Sequence, residues 1–352
     1  MPGPFLPELR AGDFRVDKRL NMQAIIPLAG KGTRVRPHTH TRPKPLLRVA
    51  NRPVLSHVVE QLRSIGVEEM IAITGHLAPQ IETYLAEEFP DLPVRFVEQV
   101  RQRGTADAIA LAEPFVSGPV LIVFVDTLFE ADFSVIETHA DAAGIIWAKE
   151  VEDYQRYGVV VTDGEGYMTR IVEKPREPIS KLANIGVYYI RDHELMFEGV
   201  RHVMDQDPNL GEYFLTDAFQ YMIDRGARLY TAQVGGWFDC GKPETLIETN
   251  LAMLERGHGG IEGELADDVL IDGEVAVATG ASVSASRIGP NVSIASGARV
   301  ERSVLRDCLV GENSVIEECD LHDSLIGDHA ALRGVRGVVN VGDHSEIRGE
   351  AD

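Results

Sequence analysis

The chain has little with which to build a disulfide framework or a membrane span. It has three cysteines, at 240, 308 and 319, with neither paired nor zinc-ligand spacing. That usage fits a reducing, cytosolic location. No run of 18 apolar residues exists, so no segment is expected to cross a membrane. The first 21 residues mix proline, glycine and charge without the apolar stretch of a secretory leader, and are expected to lie outside the core. Basic residues are the minority, 34 Lys and Arg against 55 Asp and Glu, for a formal net charge of −21. Such a balance argues against nucleic acid as a partner. What remains is a globular composition, 44% hydrophobic, on 352 residues, long enough for two domains.

One stretch inverts the charge balance. From Lys31 to Arg52 there are seven Lys or Arg residues and no Asp or Glu. It follows an apolar run at 24–28 and precedes an amphipathic segment beginning near Pro53, the order strand, glycine-rich loop, helix. Gly30 and Gly32 permit positive φ and close backbone approach, so main-chain N–H groups can face a phosphate. A cationic, glycine-built loop on an acidic chain suits a polyanion such as a nucleoside triphosphate. Two familiar phosphate loops are excluded. A dinucleotide fingerprint needs glycine where Val35 stands, and the first acidic residue after the loop is Glu60, out of place for a ribose contact. No Gly-Lys-Ser/Thr follows at the spacing of a Walker A loop.

Hydrophobic periodicity predicts an α/β fold with a mostly parallel sheet from Ala24 to about Val234. Helices are expected over 53–65, 78–88, 194–204, 215–225 and 243–256. Strands are expected over 70–74, 94–99, 120–126, 184–190 and 227–234, with a two-residue hairpin turn at Asp163-Gly164. The 120–126 strand is apolar up to a terminal Asp126, the pattern of a buried strand whose carboxyl end faces a ligand. After a glycine-rich linker at 257–260, branched aliphatics recur every six residues: Ile271, Val277, Val283; Ile288, Ile294, Val300; Val304, Val310, Ile316; Ile326, Leu332, Val338; then Val341 and Ile347. Hexapeptide repeats of this kind stack into a parallel β-helix.

The loop residues Gly30, Gly32, Thr33, Arg34, Pro37, Thr39 and Lys44 match the signature of sugar-phosphate nucleotidylyltransferases, G-x-G-T-R-x-x-P-x-T followed by Lys. The chain resembles that family from Gln23 onward, and is most similar to the glucose-1-phosphate thymidylyltransferase type with a C-terminal left-handed β-helix. The resemblance implies a Rossmann-like, mostly parallel nucleotidyltransferase domain over 22–256. An N-terminal extension (1–21) would precede it, with a linker (257–262) and the β-helix (263–352) after it. It further implies a nucleotide site of Leu28, Ala29, Gly30, Gly32, Thr33, Gln99, Gly104 and Thr105. The sugar-phosphate site would comprise Gly158, Glu173, Lys174, Asn184 and Trp237. Asp126 and Asp239 match the family's Mg²⁺ ligands, and Arg34, Lys44 and Lys174 its catalytic cations. Those residue types suit the reaction. A sugar-1-phosphate oxygen attacks the α-phosphorus of a nucleoside triphosphate and pyrophosphate leaves, so cations and backbone donors matter more than a nucleophilic side chain.

The sequence departs from the family at one place. Where the family has Gly-Asp, this chain reads Val125-Asp126. That valine keeps a second class open, a non-catalytic nucleotide-sugar-binding regulator or scaffold. A third is a bifunctional enzyme with acyltransferase activity in the repeats, for which His322, His329 and His344 are candidates by residue type. Each matched residue alone has a plainer reading, Asp126 as a turn residue or Trp237 as core. Five matched segments in order favour the transferase, with dTTP or UTP and glucose-1-phosphate as its substrates. β-Helix tails commonly pack together, so a homo-oligomer is expected. The repeats are also expected to be separable from the transfer chemistry, since every matched segment precedes Gly257.

Overall fold

The computed structural model describes residues 22–349, so the expected extension at 1–21 lies outside them. The chain begins with β1 (Met22–Pro27) and the short pair β2 (Arg48–Val49) and β3 (Arg52–Pro53), followed by α1 (Val54–Ser64), β4 (Val67–Thr74), α2 (Ala78–Glu88) and β5 (Val94–Glu98). Next come α3 (Thr105–Ala110), β6 (Val120–Val123), β7 (Thr127–Ala131), α4 (Val135–Thr138) and β8 (Gly144–Glu150). The series continues with β9 (Gly158–Thr162), β10 (Met168–Glu173), β11 (Leu182–Ile190), α5 (His193–Met204), α6 (Leu215–Asp224), β12 (Leu229–Asp239) and α7 (Pro243–Met253).

The main sheet has the order β5-β4-β1-β6-β11-β8-β12-β7, with β9 and β10 attached through β11. It is mixed rather than mostly parallel. β5, β4, β1 and β6 run parallel, whereas β11 is antiparallel to β6, β8 and β9, and β7 is antiparallel to β12. Helical crossovers allow the parallel neighbours, and the short hairpin between β9 and β10 makes that pair antiparallel. Both faces are covered. Ala24 and Ile26 of β1 join the core under α1, α2 and α7, while Ile25 joins the core under α3, α5 and α6. Alternation along a strand buried on both sides explains its apolar run.

Three expectations change. The 120–126 strand ends at Val123: the Phe124 N–H still donates to the Gly186 carbonyl of β11 at 2.9 Å, and Val125 and Asp126 then form a turn. The freed chain forms β7, which the sequence pattern does not announce, and β12 continues past Val234 to pair Asp239 with Thr127. The hairpin turn spans 163–167 instead of two residues, since Thr162 pairs with Met168 and Asp163 Oδ1 accepts the Glu165 and Tyr167 N–H groups, each at 2.9 Å.

Beyond Gly260 the strands are short and parallel and form nine- and six-stranded sheets. Their registers align three inward rows: Ile261-Val277-Ile294-Val310-Ile326-Val341, Leu265-Val283-Val300-Ile316-Leu332-Ile347 and Ile271-Ile288-Leu305-Leu321-Gly337. Most of these residues share one core. The six-residue reading slips at two points. Leu305, not Val304, is fully buried, and Val338 is 62% exposed while Val339 packs inside. Part of the expected linker already belongs to this stack, since Gly260–Ile261 pair with Ala276–Val277. Leu309 and Leu325 of the stack are buried in the same core as Leu46 and Leu47. Among the described residues, no helix is long and apolar enough to cross a membrane.

Candidate active site

The loop after β1 is three single 3-10 turns, Thr33–Val35, His38–His40 and Lys44–Leu46. Gly32 alone of the two expected glycines needs to be glycine: its φ is +60°, and a Cβ would lie 2.9 Å from Thr39 Cγ2 and 3.0 Å from Lys44 Cβ. Thr39 Oγ1 closes the loop by donating to the Gly32 carbonyl at 2.8 Å. Gly30 lies outside the left-handed region, with open space where a Cβ would go.

Four of the six charged candidates, Arg34, Lys44, Asp126 and Asp239, meet at the end of this loop. Lys44 Nζ is 3.6 Å from Asp126 Oδ2. The Cys240 N–H donates to the Asp126 carbonyl at 2.9 Å, and Asp239 is opposite Thr127, so the β7–β12 ladder holds Asp239 near Asp126, the turn residue just before β7. Asp239 Oδ1 accepts the Gly241 N–H at 2.8 Å. A Cβ on Gly241 would sit 2.7 Å from that oxygen and 3.4 Å from the Arg34 guanidinium, so Arg34 lies over Gly241 beside Asp239. Val125 is 4% exposed and belongs to the core, whereas the Asp126 side chain stays 46% exposed. The valine therefore points away from the carboxylate cluster.

A second cluster forms around Gly158. A Cβ there would overlap Asn184 Nδ2 and lie 2.8 Å from Thr216 Cγ2 and 2.9 Å from Glu173 Oε2. Glycine is required for these three side chains to converge. Asn184 Nδ2 donates to the Gly158 carbonyl at 2.8 Å, the Tyr188 hydroxyl donates to Asn184 Oδ1, and Thr216 Oγ1 donates to Glu173 Oε2 at 3.0 Å. Burial pushes the Glu173 carboxyl above its ordinary value, against the opposing effects of Thr216 and Lys174. Lys174 Nζ is 3.9 Å from Glu173 Oε1 and 4.8 Å from the Phe214 ring centroid. Trp237 stands two residues before Asp239 on the same strand face, edge-on to Tyr157 at 5.2 Å, and its indole N–H is buried without a partner. An orphaned buried donor is a place for an acceptor such as a hydroxyl or phosphate oxygen.

The third cluster surrounds Gln99, which is buried. Its Nε2 donates to Asp107 Oδ2 at 2.8 Å and, more weakly, to the Gly104 carbonyl at 3.4 Å. Both partners only accept, so the amide is oriented with Oε1 as its remaining acceptor. Arg103 pairs with the other oxygen of Asp107 at 2.6 Å. Gly104, at φ +130°, packs its Cα against the Tyr213 backbone.

Some candidates stand elsewhere. The Leu28 side chain is core. Thr105 Oγ1 accepts the Leu215 N–H at 2.9 Å and so anchors α6. Ala29 is buried, and its carbonyl accepts from Gln102 Nε2. The histidines considered for acyl transfer sit on the outside of the stack. His329 and His344 are exposed and stacked at 4.9 Å, and the partly exposed His322 pairs with Asp323. Thr216, Tyr188 and Asp107 orient Glu173, Asn184 and Gln99. Thr216 is far from any matched motif, whereas Tyr188, two residues after Asn184-Ile-Gly186, and Asp107, next to Gly-Thr-Ala, stand beside matched segments.

Residues 23–256 match the Nucleotidyl transferase family. The chain belongs to that family. The transferase is 32% identical over 344 residues to the low-salt glycan biosynthesis nucleotidyltransferase Agl11 of Haloferax volcanii, covering 88% of this chain and 94% of that one. It is 31% identical over 324 residues to a glucose-1-phosphate thymidylyltransferase of Streptomyces antibioticus, covering 90% of each. Its fold also matches a crystal structure of UDP-glucose pyrophosphorylase complexed with UDP-glucose. The TM-score is 0.59 at 25% identity, covering 67% of this chain and all (100%) of that one. The transferase is thus a sugar-1-phosphate nucleotidyltransferase by family, and its three clusters occupy the segments on which the resemblance rests.

Proposed function

We propose that this transferase joins a hexose-1-phosphate, glucose-1-phosphate in the first instance, to the nucleotidyl group of dTTP or UTP and releases pyrophosphate. The observation that carries this reading is the adjacency of the Arg34–Lys44–Asp126–Asp239 cluster and the Gly158 pocket, joined by β12, which supplies both Asp239 and the unpartnered indole of Trp237. Lys174 holds the sugar phosphate with its oxygen facing the α-phosphorus. A P–O bond forms from that oxygen, the bond to the β-phosphate breaks, and pyrophosphate leaves with the electron pair. Arg34, planar and permanently charged, receives the β- and γ-phosphates, and Lys44 supports the same side. Glu173 and Asn184 accept and orient sugar hydroxyls.

The donor set also suits Mg²⁺. Asp126, just before β7, and Asp239, at the end of β12, are two carboxylates at one end of the β7–β12 ladder, and among the described residues no group of three or more His, Cys, Asp or Glu forms a closed metal cage. Magnesium is held in this way by one or two carboxylates plus substrate phosphates and water. Bound there, it would neutralise the charge that grows on the phosphate oxygens. Gln99, oriented by Asp107, presents an acceptor that suits the N3–H of uracil or thymine. Cytosine and adenine offer an acceptor at the equivalent edge position. We take the C-terminal stack to be a left-handed β-helix beginning after a transferase unit that ends near residue 256, and expect it to bring copies together. Pyrophosphate release is the test, measured with and without Mg²⁺ for UTP, dTTP, CTP, ATP and GTP against several sugar-1-phosphates. Turnover confined to UTP or dTTP with glucose-1-phosphate supports the reading. Silence on the whole panel would leave a binding protein.

A further inference from the structure

The loop that bears Arg34 and Lys44 has little of its own to hold it. Three isolated turns and the two-residue strands β2 and β3 provide few backbone bonds, and segments so built open readily unless pinned from outside. Most of the pins come from the C-terminal stack, some 300 residues further along the chain for the longest. His38 Nε2 is 2.7 Å from Asn340 Oδ1, and Thr41 Oγ1 donates to Asp343 Oδ2 at 2.7 Å. Arg42 pairs with Asp328, Arg48 pairs with Glu312 and lies 3.6 Å from Asp328 Oδ1, and Asn51 Nδ2 donates to the Ile294 carbonyl at 2.9 Å.

The acidic partners are not scattered. Glu312, Asp328 and Asp343 each follow a glycine at the same corner of successive repeats, Gly311, Gly327 and Gly342. They also fasten the repeats to one another. Asp328 Oδ1 accepts the Glu312 N–H and Asp343 Oδ1 accepts the Asp328 N–H, both at 2.8 Å. In both aspartates the second oxygen, Oδ2, is thereby left to face the loop. The result is an acidic row, rigid because the stack is rigid, against a row of loop donors. The side chains of Arg42 and Asp328 are only 21% and 11% exposed, so the pair is shielded and its loss leaves a poorly solvated charge. This arrangement also reassigns the cationic stretch. Arg42 and Arg48 are neutralised by the stack and Arg52 by Glu60, whereas Lys44 pairs with Asp126 and Arg34 lies beside Asp239.

We infer that Asp328 and Asp343 are positioning residues for nucleotide use, acting through Arg42 and Thr41 to hold the phosphate-binding loop in register with Asp126 and Asp239. The inference rests on the reading above that Arg34 and Lys44 receive the triphosphate. It makes the stack part of the catalytic apparatus without giving it any contact with substrate.

Steady-state kinetics in both substrates provide the test, on the full chain with Arg34→Ala as a control. Losing one charge-assisted contact should raise KM for the nucleotide about tenfold in Asp328→Asn. Thr41→Val and Asp343→Asn should each act in the same direction by about threefold, as neutral or half-exposed contacts do. KM for the sugar phosphate should stay within about twofold of wild type, a split that general damage to the fold would not produce. Arg42→Gln combined with Asp328→Asn should be no worse than Asp328→Asn alone, because the two report one contact. Thermal unfolding and circular dichroism identify any variant that fails to fold, in which case Asp343→Asn, at a more exposed site, decides. Folded variants with unchanged nucleotide KM, or with both Michaelis constants raised equally, overturn the inference. If Arg34→Ala also leaves nucleotide use intact, the fault lies with the reading of the loop itself.

Discussion

Val125 and Asp126 are adjacent in sequence and belong to different environments. Because β6 ends at Val123, the chain turns between the two residues, driving the valine into the core and leaving the carboxylate half exposed beside Lys44. Loss of the family glycine therefore does not obstruct the cluster. Asp126→Asn should abolish Mg²⁺-dependent pyrophosphate release while leaving the melting temperature near wild type. Val125→Gly should behave in the opposite way, retaining turnover. It should lose about 2–4 kcal/mol of stability from the buried cavity and added backbone freedom. Activity assays and denaturant unfolding of the two variants check this pair. A silent wild type revived by Val125→Gly would instead mark a binding protein descended from an enzyme.

At the scale of elements, α1 meets the turn after α7 through two histidines. His57 and His258 are edge-on at 5.1 Å, with His57 Nε2 at 3.2 Å from the Val49 carbonyl, and with Arg52 and Glu60 as the nearby charges. Burial holds the His57 imidazole down to about 4, and His258 and Arg52 add to the depression. Burial lowers His258 as well. The folded state thus resists a proton that the unfolded chain accepts. Above pH 6.5 both states are neutral at His57 and nothing is lost. As pH falls from 6.5 towards 4, stability declines, by roughly 2–3 kcal/mol for a shift of this size. His57→Gln should flatten that part of the profile relative to wild type in thermal unfolding at pH 7, 6, 5 and 4. Parallel curves for the two proteins would show that acid acts elsewhere.

The whole molecule is less divisible than its two sequence patterns suggest. Asn250 of α7, fully buried, accepts the Ala50 N–H at 2.7 Å and the Ser293 hydroxyl at 2.7 Å, and donates to Asn291 Oδ1 at 2.8 Å. One side chain thus bridges the segment after the Gly32–Lys44 loop, the last helix before the stack and the stack itself. Ending the chain after Gly260 would expose Leu46 and Leu47, strand Asn250 without two partners, and remove the acidic partners that Arg42 and Arg48 have among the described residues. Such a truncated chain is expected to be poorly soluble or, where folded, to need far more nucleotide for half-maximal rate. Light scattering and pyrophosphate release measure both. Full nucleotide affinity in a soluble truncated chain would restore the expectation of a separable tail.

Much of this protein could be read along the chain because the relevant physics is local. The six-residue period, the amphipathic faces of α1, α5 and α6, and a glycine at residue 32 with a threonine and lysine packed on it depend on neighbours a few residues apart. The candidates Arg34, Lys44, Asp126 and Asp239 were therefore legible as types at fixed spacing, and the fold brings them together. What the chain did not disclose depends on contacts between distant segments. β7 exists only because β12 is there to pair with it, and the phase of the repeats at Leu305 and Val339 is set by the coils on either side. The expected polyanion loop turned out to spend two of its arginines on the acidic row of the stack, a pairing across more than 260 residues that no local pattern encodes. Burial decides such matters, since the same Arg or Asp is a solvated surface charge in one fold and half of a shielded pair in another.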